Sequence, residues 1–253
     1  MPYFDAPPAA VAQMPGVARS DWPDAAILVG EFSQTDCFAR VRAFYPSARL
    51  IEERTLLVEV DGQQIWVSVV VGAALAATMA HLAVKLGARA LLSVGAMGGL
   101  SPEGRPGDLL VPSLVVGRDG VSAQVARRKP IIPDPTLAAK LRAQLARVSG
   151  EAAARSGKLL TTTTISFERD RDLRRWLTQG YEGVEMECAA VVATAAYFGV
   201  PAAGGFVLMD HLAVGQTVLS LSEADISCIR TGKDLLLQTA VAVLVDFVKT
   251  PNF

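Results

Sequence analysis

The stretch I65-W-V-S-V-V-V71-G72-A73-A-L-A-A-T-M-A-H-L-A-V-K-L86 holds no formally charged residue until Lys85. Its charge-free part is long enough to raise the question of a membrane span. The two sides of Gly72 differ in kind, however. Residues 65–71 are β-branched and suit a strand, whereas residues 73–86 are alanine-rich and suit a helix, with glycine punctuating the join. A buried strand followed by a buried helix is therefore expected, and a membrane is not.

The same alternation recurs on both sides of this unit. A25-A-I-L-V-G30 is a short apolar run ending in glycine, and A88-R-A-L-L-S-V-G95 is another, entered from a helix that stops at Gly87. Residues 134–148 open with Asp134 as a cap and Pro135 at the first helical position. They keep apolar residues at three- and four-residue spacing, as a surface helix does. E187-C-A-A-V-V-A-T-A-A-Y-F-G199 reads as a helix closed by glycine, and Pro201 leads into the extended run A202-A-G-G-F-V-L-M209. A last amphipathic helix is expected from Thr231 to Lys249. Apolar strands alternating with helices imply a mostly parallel sheet covered on both faces, a three-layer α/β/α sandwich. Residues 25–253 fit one such domain, preceded by a loose N-terminal arm over residues 1–24.

Composition narrows the function. The 253 residues are 51% hydrophobic and 19% charged, with a net charge of -1 and no block of like charges, so a nucleic acid or an anionic membrane is not the expected partner. A small molecule is. Cys37, Cys188 and Cys228 are odd in number, far apart and not in metal-ligand spacing, which points to a reducing, cytoplasmic setting. The start of the chain has an early acid and no basic region, so it does not read as a secretory signal. The two histidines, His81 and His211, lack ligand-like spacing, and neither a metal nor another cofactor is expected.

Ligands of such sheets bind beyond the carboxyl ends of the strands, where backbone amides and helix N-termini converge. Those places carry Gly30-Glu31, Gly72, Gly95-Ala-Met-Gly-Gly99, Glu185-Met-Glu187 and Met209-Asp210-His211. Singly, each acid has a structural account: Glu187 as a helix N-terminal carboxylate, Asp210 as a turn residue. The G95–G99 turn lacks the G-x-G-x-x-G spacing of a dinucleotide site.

Taken together, these segments resemble the nucleoside phosphorylase and nucleosidase family from about Ala25 to the C-terminus. S93-V-G-A-M-G-G-L100 followed by Gly107-Asp-Leu-Leu-Val111 is similar to the family's glycine turn and next strand. V184-E-M-E-C-A-A190, then Phe198-Gly-Val-Pro201, then F206-V-L-M-D210, is similar to its V-E-M-E, F/Y-G-V-P and S-D elements, and T163-T-I-S-F167 loosely to its T-x-D-x-F element. The resemblance implies an α/β/α fold around a central twisted mixed sheet, and cleavage of an N-ribosidic bond. It implies a ribose site at Met186 and Glu187, with Glu185 beside them, and it makes Asp210 the proton donor to the departing base. It places Phe167, Gly98, Arg169 and His211 around the base, His211 being either a partner that orients Asp210 or a solvent-facing turn residue. Gly30, Gly95, Ala96 and Arg54 would surround the nucleophile. It also implies a homodimer or a homohexamer.

The departures from the pattern bear on the nucleophile. Phosphorylases of the family hold phosphate with arginines and a hydroxyl; here the corresponding places read G30-E-F-S-Q34, Ser93 and Ala96. An anion would rest on backbone amides and on Arg54 from a neighbouring subunit, opposed by Glu31. Water is therefore the expected nucleophile and phosphate the alternative. The glutamate by which methylthioadenosine nucleosidases activate water falls on Thr35, leaving Glu31 or Asp36 for that role. F167-E-R-D-R171 resembles the arginine-bearing loop by which uridine phosphorylases read a pyrimidine, so Arg169 or Arg171 would read an unusual base, with purine and non-purine bases equally open. Loss of both phosphate-binding and water-activating groups keeps open a non-catalytic nucleoside-binding or storage protein. The N-terminal arm and residues 220–230 are expected to cap the pocket.

Overall fold

The charge-free stretch folds as expected, into strand β4 (Gln63–Val70) and helix α3 (Ala73–Lys85). The structure is a computed structural model that describes residues 6–13, 16–127, 129–150 and 154–250. Before that unit come α1 (Pro8–Gln13), β1 (Ala25–Gly30), α2 (Gln34–Phe44), β2 (Arg49–Glu52) and β3 (Thr55–Val60). After it come β5 (Leu91–Gly99), β6 (Leu109–Gly117), α4 (Gly120–Ala126), α5 (Pro135–Ser149), β7 (Ala154–Thr161), α6 (Asp170–Thr178), β8 (Gly183–Glu185), α7 (Cys188–Tyr197), β9 (Ala202–Asp210) and α8 (Glu223–Lys249).

The sheet is mixed, with parallel strands at its centre. β1 lies between β4 and β5, parallel to both, and β9 runs parallel to β5 on its other side. The edge β2-β3-β4 is an antiparallel meander. Beyond β9 the sheet curls back. β6 pairs antiparallel with β9, β7 runs parallel to β6, β8 parallel to β7, and β8 returns antiparallel to the last two residues of β5. A register shift between Met97 and Gly98 lets β5 leave β9 and meet β8. Five strands thus close on themselves, and the ends of β5, β8 and β9 face one hollow.

Alternation along the strands feeds two cores. In β1, Ala25, Ile27 and Val29 pack with α2, α5 and α8, whereas Ala26 and Leu28 pack with α3 and α7. Both faces are therefore covered by helices, as the long apolar strands require. In α5 the buried face is Leu137, Leu141 and Leu145, one residue per turn.

Two expectations need correction. The N-terminal segment is not a loose arm over its described part: Val11, Ala12 and Val17 are buried, and the Trp66 indole N–H donates to the Asp21 carbonyl at 2.7 Å. That contact fastens it where β4 begins, at the opposite end of the sheet from the hollow. None of its described residues lines the hollow. The last helix starts at Glu223, not Thr231, because Ser222 accepts the Asp225 N–H while the Asp225 carboxylate accepts the Ser222 N–H. Residues 223–230 are therefore the opening turns of α8. The element that lines the hollow there is the turn at 212–218, through Leu212 and Val218. Among the described residues, no helix is long and apolar enough to cross a membrane.

Candidate active site

The hollow is a cleft of about 340 Å³ bounded by the end of β1, the residues after β4, the second half of β5, the β8–α7 junction and the end of β9. Carboxyl groups from five residues reach its wall: Glu31, Glu168, Glu185, Glu187 and Asp210. Among the described lining residues there is no lysine, arginine or histidine.

The β8–α7 junction explains why a chain would place two acids so close together. Glu185 is buried, and both of its oxygens are engaged: one bonds the Thr161 hydroxyl, the other accepts the N–H groups of Glu187 and Cys188 at 2.7 Å each. These amides open α7 and would otherwise lack partners. Burial, and then the charge of Glu187, push the Glu185 carboxyl up to about 8. Glu185 thus sets the turn that opens α7, with both oxygens engaged by the protein.

Glu187 is held from three sides and still faces the cleft. Its carboxylate accepts the Gly72 N–H at 2.6 Å and, more weakly, the Met186 N–H at 3.3 Å. Burial raises its pKa while those two amides lower it. Gly30 makes the approach possible: a Cβ there would stand 2.8 Å from Glu187 Oε2. Met186 lies on the wall beside it.

Asp210, at the end of β9, lines the opposite side. Burial raises its pKa, against its own backbone N–H and that of Val218. Gly98 lets it come close, since a Cβ there would stand 3.3 Å from Asp210 Oδ1. His211 does not orient it. The ring nitrogen Nε2 of His211 is 2.8 Å from the Ser101 carbonyl, and the residue is buried, which excludes both the partner and the solvent-facing alternatives.

Glu31 sits at the cleft end of β1 with its charge compensated. Lys233 of α8 donates to both of its oxygens, at 3.0 and 2.8 Å, and Arg40 of α2 stands 3.7 Å away. All three side chains are largely buried. They border a narrow cavity of about 20 Å³ reaching Gly95 and Val94. Gly30 and Ala96 are on the main cleft wall.

Several expected site residues lie elsewhere. Arg54 is in the β2–β3 turn, partly exposed and 4.0 Å from Glu53, and it is not on the cleft wall of its own chain, which leaves the expected contribution to a neighbouring subunit's site untouched. Thr35 and Asp36 are exposed in the first turn of α2. Arg169 and Arg171 are exposed around the start of α6, Arg169 as its extended N-cap residue and Arg171 in its first turn. Phe167 closes a short 3-10 turn (Ile165–Phe167), and its side chain is outside the described residues.

Sequence reasoning passed over Glu168. It follows that 3-10 turn in extended conformation, on the cleft wall, with Oε1 buried and, among the described residues, without a hydrogen-bond partner. Burial, and then the nearby Asp210, push it up to about 7. Its signal in the sequence is an acid in the loop that precedes a helix start, next to Arg169. Among the described residues, no group of three or more potential ligands could hold a metal ion.

A family model described as the phosphorylase superfamily matches residues 20–244 of this chain. The protein belongs to the phosphorylase superfamily. That places it among enzymes that cleave N-glycosidic bonds. Similar solved structures include uridine phosphorylase from Vibrio fischeri, at a TM-score of 0.75 and 18% identity, over 91% of this chain and 95% of that one. Purine nucleoside phosphorylase from Toxoplasma gondii in complex with immucillin-H is similar at 0.76 and 18%, over 92% and 94%. At that identity the likeness shows the superfamily's fold. No curated protein sequence matches this chain.

Proposed function

We propose that the cleft binds a nucleoside or nucleoside-like N-riboside and hydrolyses its N-ribosidic bond, releasing the free base. The observation that carries this reading is the charge of the wall: carboxyl groups from five residues, and among the described residues no cation facing inward. Breaking the bond builds positive charge on the sugar ring, which carboxylates favour, and negative charge on the departing base, which a protonated acid quenches. A phosphate dianion would meet the same carboxylates without a cation to hold it.

Each group then has a task. Glu187 accepts hydrogen bonds from the ribose hydroxyls and Met186 packs on the sugar, both fixed by the β8–α7 junction. Asp210, raised in pKa by burial, donates a proton to the base as the C–N bond breaks. Water adds to the ribose carbon on the side of Glu31, which takes the water's proton. The protein works in the cytoplasm, without metal or other cofactor, as a homodimer or homohexamer. Its three cysteines, all free, fit that compartment.

Phosphorolysis is the second reading, and a specific observation favours it. Lys233 and Arg40 stand just behind Glu31, so two cations lie one side chain away from the place where a phosphate would bind.

The test is to incubate the purified protein with purine and pyrimidine ribonucleosides, with and without phosphate, and to separate the free bases by chromatography. Base release independent of phosphate, lowered at least about 100-fold in Asp210→Asn, is expected. Release only with phosphate would replace hydrolysis by phosphorolysis. Ligand binding without release from any riboside would make this a nucleoside-binding protein.

A further inference from the structure

Glu31 stands between two spaces. On one side it lines the main cleft, and on the other it borders the narrow cavity of about 20 Å³ together with Cys37, Arg40, Gly95 and Lys233. Behind it, Lys233 donates to both of its oxygens at 3.0 and 2.8 Å, and Arg40 Nη1 is 3.7 Å from its Oε2. Arg40 Nε is matched separately by Asp234, at 3.0 Å. Two cations thus face two carboxylates, and the group balances. Cys37 adds no charge, since burial pushes its thiol up to about 12. Neither cation lines the main cleft, whose wall presents carboxyl groups instead.

We propose that Glu31 is a built-in counter-ion: its carboxylate occupies an oxyanion place formed by Lys233 and Arg40, and its charge keeps inorganic phosphate out. Glu31 is then the residue that decides which nucleophile meets the sugar. For that choice the inference rests on the reading of the cleft as a site for N-ribosides; the anion place itself does not. An ammonium and a guanidinium present several N–H donors to one anion, and bonds between a charged donor and a charged acceptor are the stronger ones. A carboxylate supplied by the chain itself acts at high effective concentration, so a free anion must displace it to bind.

Removing the Glu31 carboxylate leaves two cations against the single carboxylate of Asp234. Those cations are largely withdrawn from solvent, with 14% of the Lys233 and 18% of the Arg40 side chain exposed, so their attraction for an anion is less screened than at a surface. The space given up by the carboxylate joins the narrow cavity on one side and opens to the main cleft on the other. With phosphate there, a phosphate oxygen bonds to the ribose carbon as the C–N bond breaks. The electron pair of that bond leaves with the base, which takes the proton of Asp210, and ribose 1-phosphate results. With Glu31 in place, water adds instead and gives its proton to Glu31.

The experiment titrates inorganic phosphate into wild type, Glu31→Gln and Glu31→Ala by calorimetry, at constant ionic strength and without any riboside. Wild type should bind phosphate at least about tenfold more weakly than either variant, and Glu31→Ala should bind it more tightly than Glu31→Gln, because it clears the space as well as the charge. Adding Lys233→Met to Glu31→Ala should abolish the gain, which assigns it to this place. Thermal unfolding gives a second reading: phosphate should raise the midpoint of the variants and leave that of the wild type unchanged. Where Glu31→Ala does not fold, Glu31→Gln, which keeps the shape of the side chain, decides. Phosphate bound equally by wild type and variants, or by none of them, overturns the proposal, and so does a gain that survives Lys233→Met. With a riboside that the wild type cleaves, the variants should release base slowly without phosphate and faster with it, forming ribose 1-phosphate. Phosphate bound but never joined to the sugar would overturn the role of Glu31 in choosing the nucleophile. If no form cleaves any riboside, the cleavage reading fails while the phosphate titration still decides this one.

Discussion

The Glu185 carboxyl is shut away from water, and its oxygens are taken by Thr161 and by the two amides that open α7. Its pKa rises from the ordinary 4.5 to about 8, by burial first and the Glu187 charge second. Between those values the folded protein keeps a proton that the unfolded chain has released. Stability should therefore fall as pH rises from about 4.5 to about 8, then level off. Glu168, raised to about 7, acts in the same direction. Denaturant unfolding at several pH values should show this slope, and Glu185→Gln should flatten it; an unchanged slope would mean that Glu185 is ionised when folded. Glu185→Ala strands two N–H donors and a hydroxyl, each worth about 1–3 kcal/mol, and should unfold at markedly lower denaturant. Gly30 supports a prediction on activity. Its replacement by alanine sets a Cβ 2.8 Å from Glu187 Oε2 and must displace that carboxylate. For Gly30→Ala, kcat/KM should fall by on the order of 100-fold, with an unchanged circular dichroism spectrum.

Between elements, the pairing of Glu31, just after β1, with Lys233 on α8 spans 202 residues of sequence, and no local pattern announces it. With both side chains largely withdrawn from solvent, a double-mutant cycle of Glu31→Gln and Lys233→Met should give a coupling of about 0.5–3 kcal/mol. A coupling near zero would mean that the pair only fills space. The legible elements were those whose burial is one-sided or complete: β1, β4 with α3, α5, α7 and β9 all show their period in the sequence. The opening of α8 was harder to read, because Ser222 and Asp225 give a capping box while the next turns bury only Ile229 and Gly232. At the site, Met186, Glu187 and Asp210 stand next to strand ends, where a motif and a topological rule coincide. Glu168 stands in a loop, where the side chain's direction depends on a 3-10 turn that short-range patterns do not specify. The closing of β5, β9, β6, β7 and β8 upon themselves depends on a register shift at Met97 and on pairings far apart in sequence, which periodicity cannot supply.

At the scale of the whole molecule, the mouth of the cleft carries apolar side chains that one protomer leaves in water. Phe32, Val71, Ile165 and Val218 line it and are exposed, Phe32 to 71%, and Leu219 next to Val218 is exposed to 94%. Large apolar groups gathered at one exposed place mark a surface that something covers. A second copy of this chain is the occupant proposed, so that each mouth is closed by a neighbour and water other than the reacting one is kept out. Sedimentation equilibrium should then give a mass of at least two protomers. Phe32→Glu and Leu219→Glu should shift it toward one, since a carboxylate buried against an apolar partner surface is strongly unfavourable. The dissociated variants should keep the helical signal of the fold but lose activity, because the acids of the cleft wall, all from a single chain, remain in place while the open mouth admits bulk water. A wild-type protein that sediments as one protomer would leave the apolar rim to the substrate, and riboside affinity should then rise with the apolar size of the group at the 5′ position.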